Sequence, residues 1–488
     1  MLERHTLKKT MTFGNYISIG LGSIVGIAWV MYTGQWLQDG GPIGAMLAFI
    51  LCGLLLLPIG ACYAEMTASI PVAGGALAFV FKAFGTLPAF LTAWGLALLY
   101  VSVPPFETIA IGTLMESILP GLITEPLYWV DGYKVGWSTI IPGLVAGAFL
   151  FWLNFHGAKS SARFQLWTIY LMFACVLVFT ATAFVNGDVS NLLPMFAGEG
   201  SFWVAGSSSV VAVLVTAPFF MAGWDTIPQA AEESGLDMKP RQLGIAILSS
   251  ISLGAVFYVV IILATGMSVS SEQMAEIMQN KDVMPTAEVF RVAFGYEWMT
   301  KLVLITALMG LLTTLNAVII SASRLLFSLA RGGMLPHWLA QVHPKYGTPG
   351  NAIIIVSSIS LIGPFVGMAA LGPMVNSGSF AVTFTLFMTT LSALRLRSSA
   401  PGLERPYRTH ISTIFLAVTI ALILLSLMLV PQSPGQLSML EFAYVGIWML
   451  LGVTGYVMRL SSGDMSHQER SYMILGDYRN LESQGTLS

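Results

Sequence analysis

Two carboxylates stand in apolar surroundings where a charge is costly. Glu107 follows Pro104-Pro105, and Asp225 closes the stretch Pro218-Phe219-Phe220-Met221-Ala222-Gly223-Trp224-Asp225. Of the 24 acidic residues, only these two fall well inside apolar segments; Glu65 and Glu116 lie near segment ends. Holding a carboxylate at the centre of a bilayer costs about 2.5–3.5 kcal/mol, so each is a functional candidate by default. Such a group can hold a cation or carry a proton. Asp225 can also cap the helix that restarts behind it, and Glu107 can sit at the interface end of a long tilted helix.

The backbone offers further chemistry. Gly20-Leu21-Gly22-Ser23-Ile24-Val25-Gly26 places three glycines in seven residues. Each costs about 1 kcal/mol relative to Ala inside a helix, so the chain is expected to unwind there. Pro218 and Pro228 bracket Asp225, and Pro removes a backbone donor and clashes with the preceding turn. Irregular backbone at membrane depth survives only when buried in protein or lining a cavity. One such segment alone reads as a kink or a packing glycine. Two, opening the two halves of the chain, point to a transporter binding site.

Other chemistries find no support. All six histidines fall between the apolar segments or at their edges, none in the middle of one, and His337 and His343 sit six apart between prolines without metal-ligand spacing. Cys52, Cys62 and Cys175 read as apolar packing residues. Neither a nucleophile–base pair nor a GxxxxGK[ST] phosphate loop is present, which argues against a membrane enzyme or an ATP-driven pump. The net charge of −2 excludes a basic nucleic-acid binder.

The elements that must position these groups follow from composition. Hydrophobic residues make up 56% of 488 and charged residues 9%, with a mean hydropathy of +0.77. Soluble domains carry about 25% charged residues, so a soluble globule of this size is excluded. Residues 1–12 are polar and basic, and the apolar segment after them is too long for a signal-peptide core, so it is expected to serve as the insertion signal. Since about 20 apolar residues cross a membrane as a helix, the chain offers twelve spans: 13–37, 42–66, 86–118, 138–156, 163–185, 206–231, 243–267, 299–328, 350–370, 373–394, 411–430 and 439–459. With the N-terminus inside, all but four of the 22 Lys and Arg fall on the cytoplasmic side; the exceptions are Lys134, Lys281, Arg291 and Lys301. The reading is a multi-pass protein of the plasma or inner membrane with both termini cytoplasmic. Residues 1–12 form a cytoplasmic N-terminus and 13–394 a ten-helix core, with repeat one at 13–185 and repeat two at 206–394. A cytoplasmic loop at 395–410, two added helices within 411–459 and a polar tail at 460–488 complete the chain. Five is odd, so the repeats would be inverted.

Five motifs resemble those of the amino acid–polyamine–organocation (APC) permeases. They are Gly22-Ser23-Ile24-Val25-Gly26; Tyr63-Ala64-Glu65 with Pro71-Val72-Ala73-Gly74-Gly75; and Ala222-Gly223-Trp224-Asp225 with Ala231-Glu232-Glu233. The fourth is Ser323-Arg324 through Leu329-Ala330-Arg331, Leu335-Pro336 and His343-Pro344-Lys345-Tyr346-Gly347-Thr348-Pro349, and the fifth Arg405-Pro406-Tyr407-Arg408. Ala28 stands where the family usually has Gly, and Gly332 where it usually has Asp.

The resemblance implies an all-α integral membrane protein, a LeuT-type 5+5 inverted repeat with discontinuous helices 1 and 6. Free N–H groups of Gly22, Ser23, Ile24, Val25 and Gly26 would meet a carboxylate, and carbonyls near Phe219 and Ala222 an ammonium, beside Trp224 and Asp225. Phe219 would shield the substrate, or else pack against lipid or core. Glu107 lies on the helix that usually lines the pocket, which favours a substrate with extra positive charge or a proton carrier. Thr313 and Thr314 would hold a sodium ion against the first-helix break, or serve as packing hydroxyls. The fifth-helix Lys of some members is missing; Leu171 or Met172 takes its approximate place. No cofactor is expected beyond a coupling proton or sodium ion. The expected partners are a small-molecule substrate (an amino acid or amine) and the lipid bilayer, with a homodimer left open. A polyamine or cationic amino-acid exchanger is the alternative, and a channel or substrate sensor the remoter ones.

Overall fold

The computed structural model describes residues 4–122, 124–130, 132–280, 284–431, 433, 436–461 and 465–479. Lys281, residues 1–3 of the N-terminal segment and residues 480–488 of the tail lie outside the described residues. Helices dominate: α1 (Phe13–Ile24), α2 (Ala28–Ser69), α3 (Ala76–Phe84), α4 (Thr86–Ile118), α5 (Trp137–Phe155), α6 (Ala158–Asn186), α7 (Phe202–Leu214), α8 (Ala217–Phe220) and α9 (Thr226–Gln229). Then follow α10 (Pro240–Ser268), α11 (Ser271–Gln279), α12 (Pro285–Phe294), α13 (Glu297–Arg331), α14 (Gly350–Val366), α15 (Met368–Ser399), α16 (Ile411–Leu429), α17 (Met439–Ser461) and α18 (His467–Leu475). Strands β1 (Tyr128–Val130) and β2 (Tyr133–Val135) form an antiparallel hairpin between α4 and α5.

Among the described residues, nine helices are long and apolar enough to cross a membrane, and α7 and α14 are shorter apolar helices. Arg4 donates to the Met473 carbonyl at 3.2 Å. Both described ends of the chain therefore meet at one end of the bundle.

Sequence chemistry sets the breaks. Thr12 and Asn15 cap the start of α1 reciprocally. The long α2 bends at Gly41, whose φ of 67° lies in the left-handed region ahead of Pro42. A Cβ on Gly41 would stand 2.7 Å from the Met195 carbonyl oxygen. Farther along, α2 packs on α10 through small residues. A Cβ on Gly53 would meet Ala255 at 2.8 Å, and one on Gly244 the Ala64 carbonyl oxygen at 2.9 Å. Without a hydrophobic drive between helices in lipid, such close approach supplies the packing.

Candidate substrate site at two chain breaks

The first break is shorter than the glycine pattern suggests. Gly20 and Gly22 stay helical and α1 runs to Ile24, leaving Val25, Gly26 and Ile27 outside helix. Those glycines are contact points. A Cβ on Gly20 would lie 2.6 Å from Ser250 Oγ, and one on Gly22 2.3 Å from Gln165 Nε2. Of the expected anion-binding segment Gly22–Gly26, therefore, only Val25 and Gly26 leave the helix. At the restart, no side chain caps α2. The Val30 and Met31 N–H groups donate to the Ile27 carbonyl at 2.9 and 3.3 Å, so Ala28 and Trp29 hold the uncapped N–H groups of this helix start.

The second break matches the proline pattern. The chain leaves helix between α8 and α9, at residues 221–225. Gly223 adopts φ +121°, and a Cβ there would fall 2.6 Å from the Ser23 Cβ. This contact brings the two breaks together. The Tyr258 hydroxyl of α10 lies 3.0 Å from the Ile24 carbonyl and 3.2 Å from that of Phe220, joining the helix ends that the breaks create.

Asp225 is buried. It accepts from the Tyr100 hydroxyl of α4 at 2.8 Å and from the Gly223 N–H at 3.2 Å. It stands at the start of α9, yet its side chain makes no capping bond there, because Tyr100 and Gly223 take both carboxylate oxygens. Trp224 is buried edge-on against Tyr63, ring centroids 5.0 Å apart. Tyr100 escaped the sequence reading because a tyrosine in an apolar run carries no signal of its own.

A cavity of about 420 Å³ opens beside the second break. Phe219, Ala222, Trp224 and Asp225 line it, with Tyr32 from α2, Asn376, Ser379 and Thr383 from α15, and Glu441 from α17. None of its lining residues is Lys, Arg or His. Gly22, Ser23, Ile24, Val25 and Gly26 do not line it, and neither does Glu107. Phe220 lines the cavity too, tilted against Tyr32 and edge-on to Trp36, with centroids 5.1 and 5.0 Å away. Phe219 is half-exposed on the cavity wall. Glu441 went unnoticed in the sequence because it begins a span, where charges are ordinary.

Glu107 is buried, and its Oε2 has no hydrogen-bond partner among the described residues. It lies seven residues from Tyr100, two turns or about 10 Å along the same face of α4.

Thr313 and Thr314 converge on one oxygen, the Gly22 carbonyl, at 3.4 and 3.0 Å. Neither Leu171 nor Met172 is the polar reach of the fifth span. Gln165 of α6 is, with its amide nitrogen 3.1 Å from both the Ser18 and Thr313 carbonyls. Asn316 holds its oxygen at 2.8 Å. Asn154 and Ser161 complete a buried network across α5, α6 and α13.

At the end of the bundle that bears both chain ends, two of the sequence motifs meet as ion pairs. Arg324 and Glu233 form a fully buried two-pronged pair, with contacts of 3.0 and 2.9 Å. Arg331 grips Glu232 with two 2.8 Å bonds, and Arg4 adds a third at 3.3 Å. Burial works to raise the Glu232 carboxyl, but Arg331, Arg4 and the Ala73 N–H outweigh it and hold the group at about 2.

Two broken helices tied side by side in an apolar all-α bundle, with a cavity at the break, are the architecture of a membrane transport protein. The chain belongs to the amino acid permease family, whose sequence profile matches residues 11–454, and so to the APC superfamily. It is similar to the branched-chain amino acid permease BcaP of Bacillus subtilis (strain 168), with 26% identity over 93% of each chain. A methylthioribose transporter of the same organism is 26% identical over 83% of this chain and 84% of its own. Cationic amino acid transporter 6, chloroplastic, of Arabidopsis thaliana is 26% identical over 89% of this chain and 73% of its own.

Proposed function

We propose that the chain is a secondary active transporter that moves an amino acid or related amine across the cell membrane by alternating access. Twelve spans arranged as a LeuT-type 5+5 inverted repeat, with both termini cytoplasmic, are part of this reading. The paired breaks at residues 25–27 and 221–225, held together by Tyr258 and Gly223 beside a cavity of about 420 Å³, carry it. Uncapped N–H groups at the start of α2 suit a carboxylate, and the acidic cavity suits an ammonium. The names of the relatives span branched-chain and cationic amino acids and a thioribose, so family membership leaves the side chain open.

Coupling has two candidate routes. Thr313 and Thr314, both reaching the Gly22 carbonyl, supply oxygens of the kind that hold sodium, while Asp225 and Glu107 are carboxyls able to carry a proton. Uptake of radiolabelled amino acids into proteoliposomes, with and without a sodium or proton gradient, tests the whole reading. Saturable, gradient-dependent uptake is the expected result, and failure across neutral and cationic amino acids and polyamines contradicts it.

A cationic amino-acid or polyamine exchanger is the second reading. Asp225 and Glu441 on a cavity lined by no basic residue favour it. Here Asp225→Asn would abolish uptake of cationic substrates while sparing neutral ones. Equal loss of both classes favours the first reading.

A further inference from the structure

The polar tail returns to the bundle as α18. Ser466 and Glu469 cap α18 reciprocally, so the helix has a defined start. Its apolar face, Met473, Ile474 and Leu475, is buried. The Arg470 Nε–H donates to the Gly332 carbonyl at the last turn of α13, 2.9 Å away and buried. Gly332 is the position that departs from its family motif, and the contact gives a reason: a Cβ there would stand 3.0 Å from Ile474. On its other side the helix meets Arg4, whose Nε–H donates to the Met473 carbonyl while its Nη2–H donates to Glu232.

We propose that α18 is an autoinhibitory latch that holds this end of the transporter shut. The helix clamps the end of α13 through Arg470 and Ile474, and it holds Arg4 against Glu232. Glu232 in turn binds Arg331 of α13 and the Ala73 N–H. A motion that parts α13 from the Glu232–Glu233 turn at this end breaks the Arg331–Glu232 and Arg324–Glu233 pairs, and with them the Arg4 bridge that ties Glu232 to α18. The latch is a single helix of nine residues, a size that can be lost in one state and regained in another. The inference rests on the transport reading only in requiring that this end opens.

A thiol probe tests it without any substrate. Ser328→Cys places a thiol beneath the cluster, where Ser328 now donates to the Ala73 carbonyl at 2.8 Å. Labelling by a membrane-impermeant maleimide is followed in the full chain carrying Ser328→Cys alone, or with Arg470→Ala or Ile474→Asp. Chains without the added thiol subtract the background from Cys52, Cys62 and Cys175. The latch predicts labelling roughly tenfold faster in both latch variants, the population shift expected when a charge-assisted hydrogen bond is lost. An unchanged rate in Arg470→Ala, with the protein eluting as a single species, overturns the proposal. Should Ile474→Asp fail to fold, Arg470→Ala decides alone. Uptake by the parent chain is a separate measurement. Faster labelling without any uptake leaves the latch and removes the transport reading; uptake with unchanged labelling does the reverse.

Discussion

Asp225 keeps its place through neutral donors, the Tyr100 hydroxyl and the Gly223 N–H. No arginine or lysine lines the cavity to compete with a substrate's ammonium. Tyr100→Phe removes one of the two hydrogen bonds and lets the carboxylate swing. A hydrogen bond to a charged group is worth about 1.5–3 kcal/mol, so the KM for uptake should rise by roughly ten- to a hundredfold. Gly223→Ala meets two obstacles, a φ of +121° and a contact with Ser23 at 2.6 Å. Strain of about 1–3 kcal/mol should appear as a lower melting temperature, together with loss of uptake. Glu232 gives a pH signature. Its folded value of about 2 lies below the ordinary 4.5, so its stabilisation is fully present above 4.5 and is lost as pH falls toward 2. The melting temperature of the detergent-solubilised protein should fall across that window. Glu232→Gln should start lower and flatten the fall, and an unchanged slope in that variant would sink the assignment.

Helix packing explains where sequence reading succeeded and where it failed. The sixth span broke at 221–225, as its prolines predicted, because Pro acts locally and needs no partner. The first break was expected across Gly20–Gly26 and occupies only residues 25–27. Gly20 and Gly22 answer to Ser250 and Gln165 on other helices, and no periodicity in α1 reveals a neighbour. Gln165 was missed for the same reason: its role lies in reaching α1 and α13, far away in sequence. Gln165→Leu takes the 2.8 Å acceptor from the Asn316 amide and a side-chain donor from each of the Ser18 and Thr313 carbonyls. The cost of a buried unmet polar group is about 1–3 kcal/mol, read as a drop in melting temperature. A cycle with Asn316→Leu should show the two losses to be far from additive. Additive losses would mean that the network does not act as a unit.

The long apolar spans were legible from hydropathy alone, and α4 runs over 86–118 as read from the sequence. The short α3, α11, α12 and α18 were not, since amphipathic pieces become helices only against a surface that the sequence does not display. Basic residues were counted for topology, yet Arg324, Arg331 and Arg4 also close one end of the bundle on Glu232 and Glu233. With one end closed by ion pairs and a cavity at the breaks, the structure fits one state of a two-state carrier. The most direct test of that account is the initial rate of radiolabelled amino acid uptake into proteoliposomes against substrate concentration, for the parent chain and Asp225→Asn. Saturable uptake in the parent, with Asp225→Asn losing it for at least the cationic substrates, is the predicted result. Uptake that rises linearly without saturating, or that is unaltered by Asp225→Asn for every substrate, would contradict a carrier built around the second break.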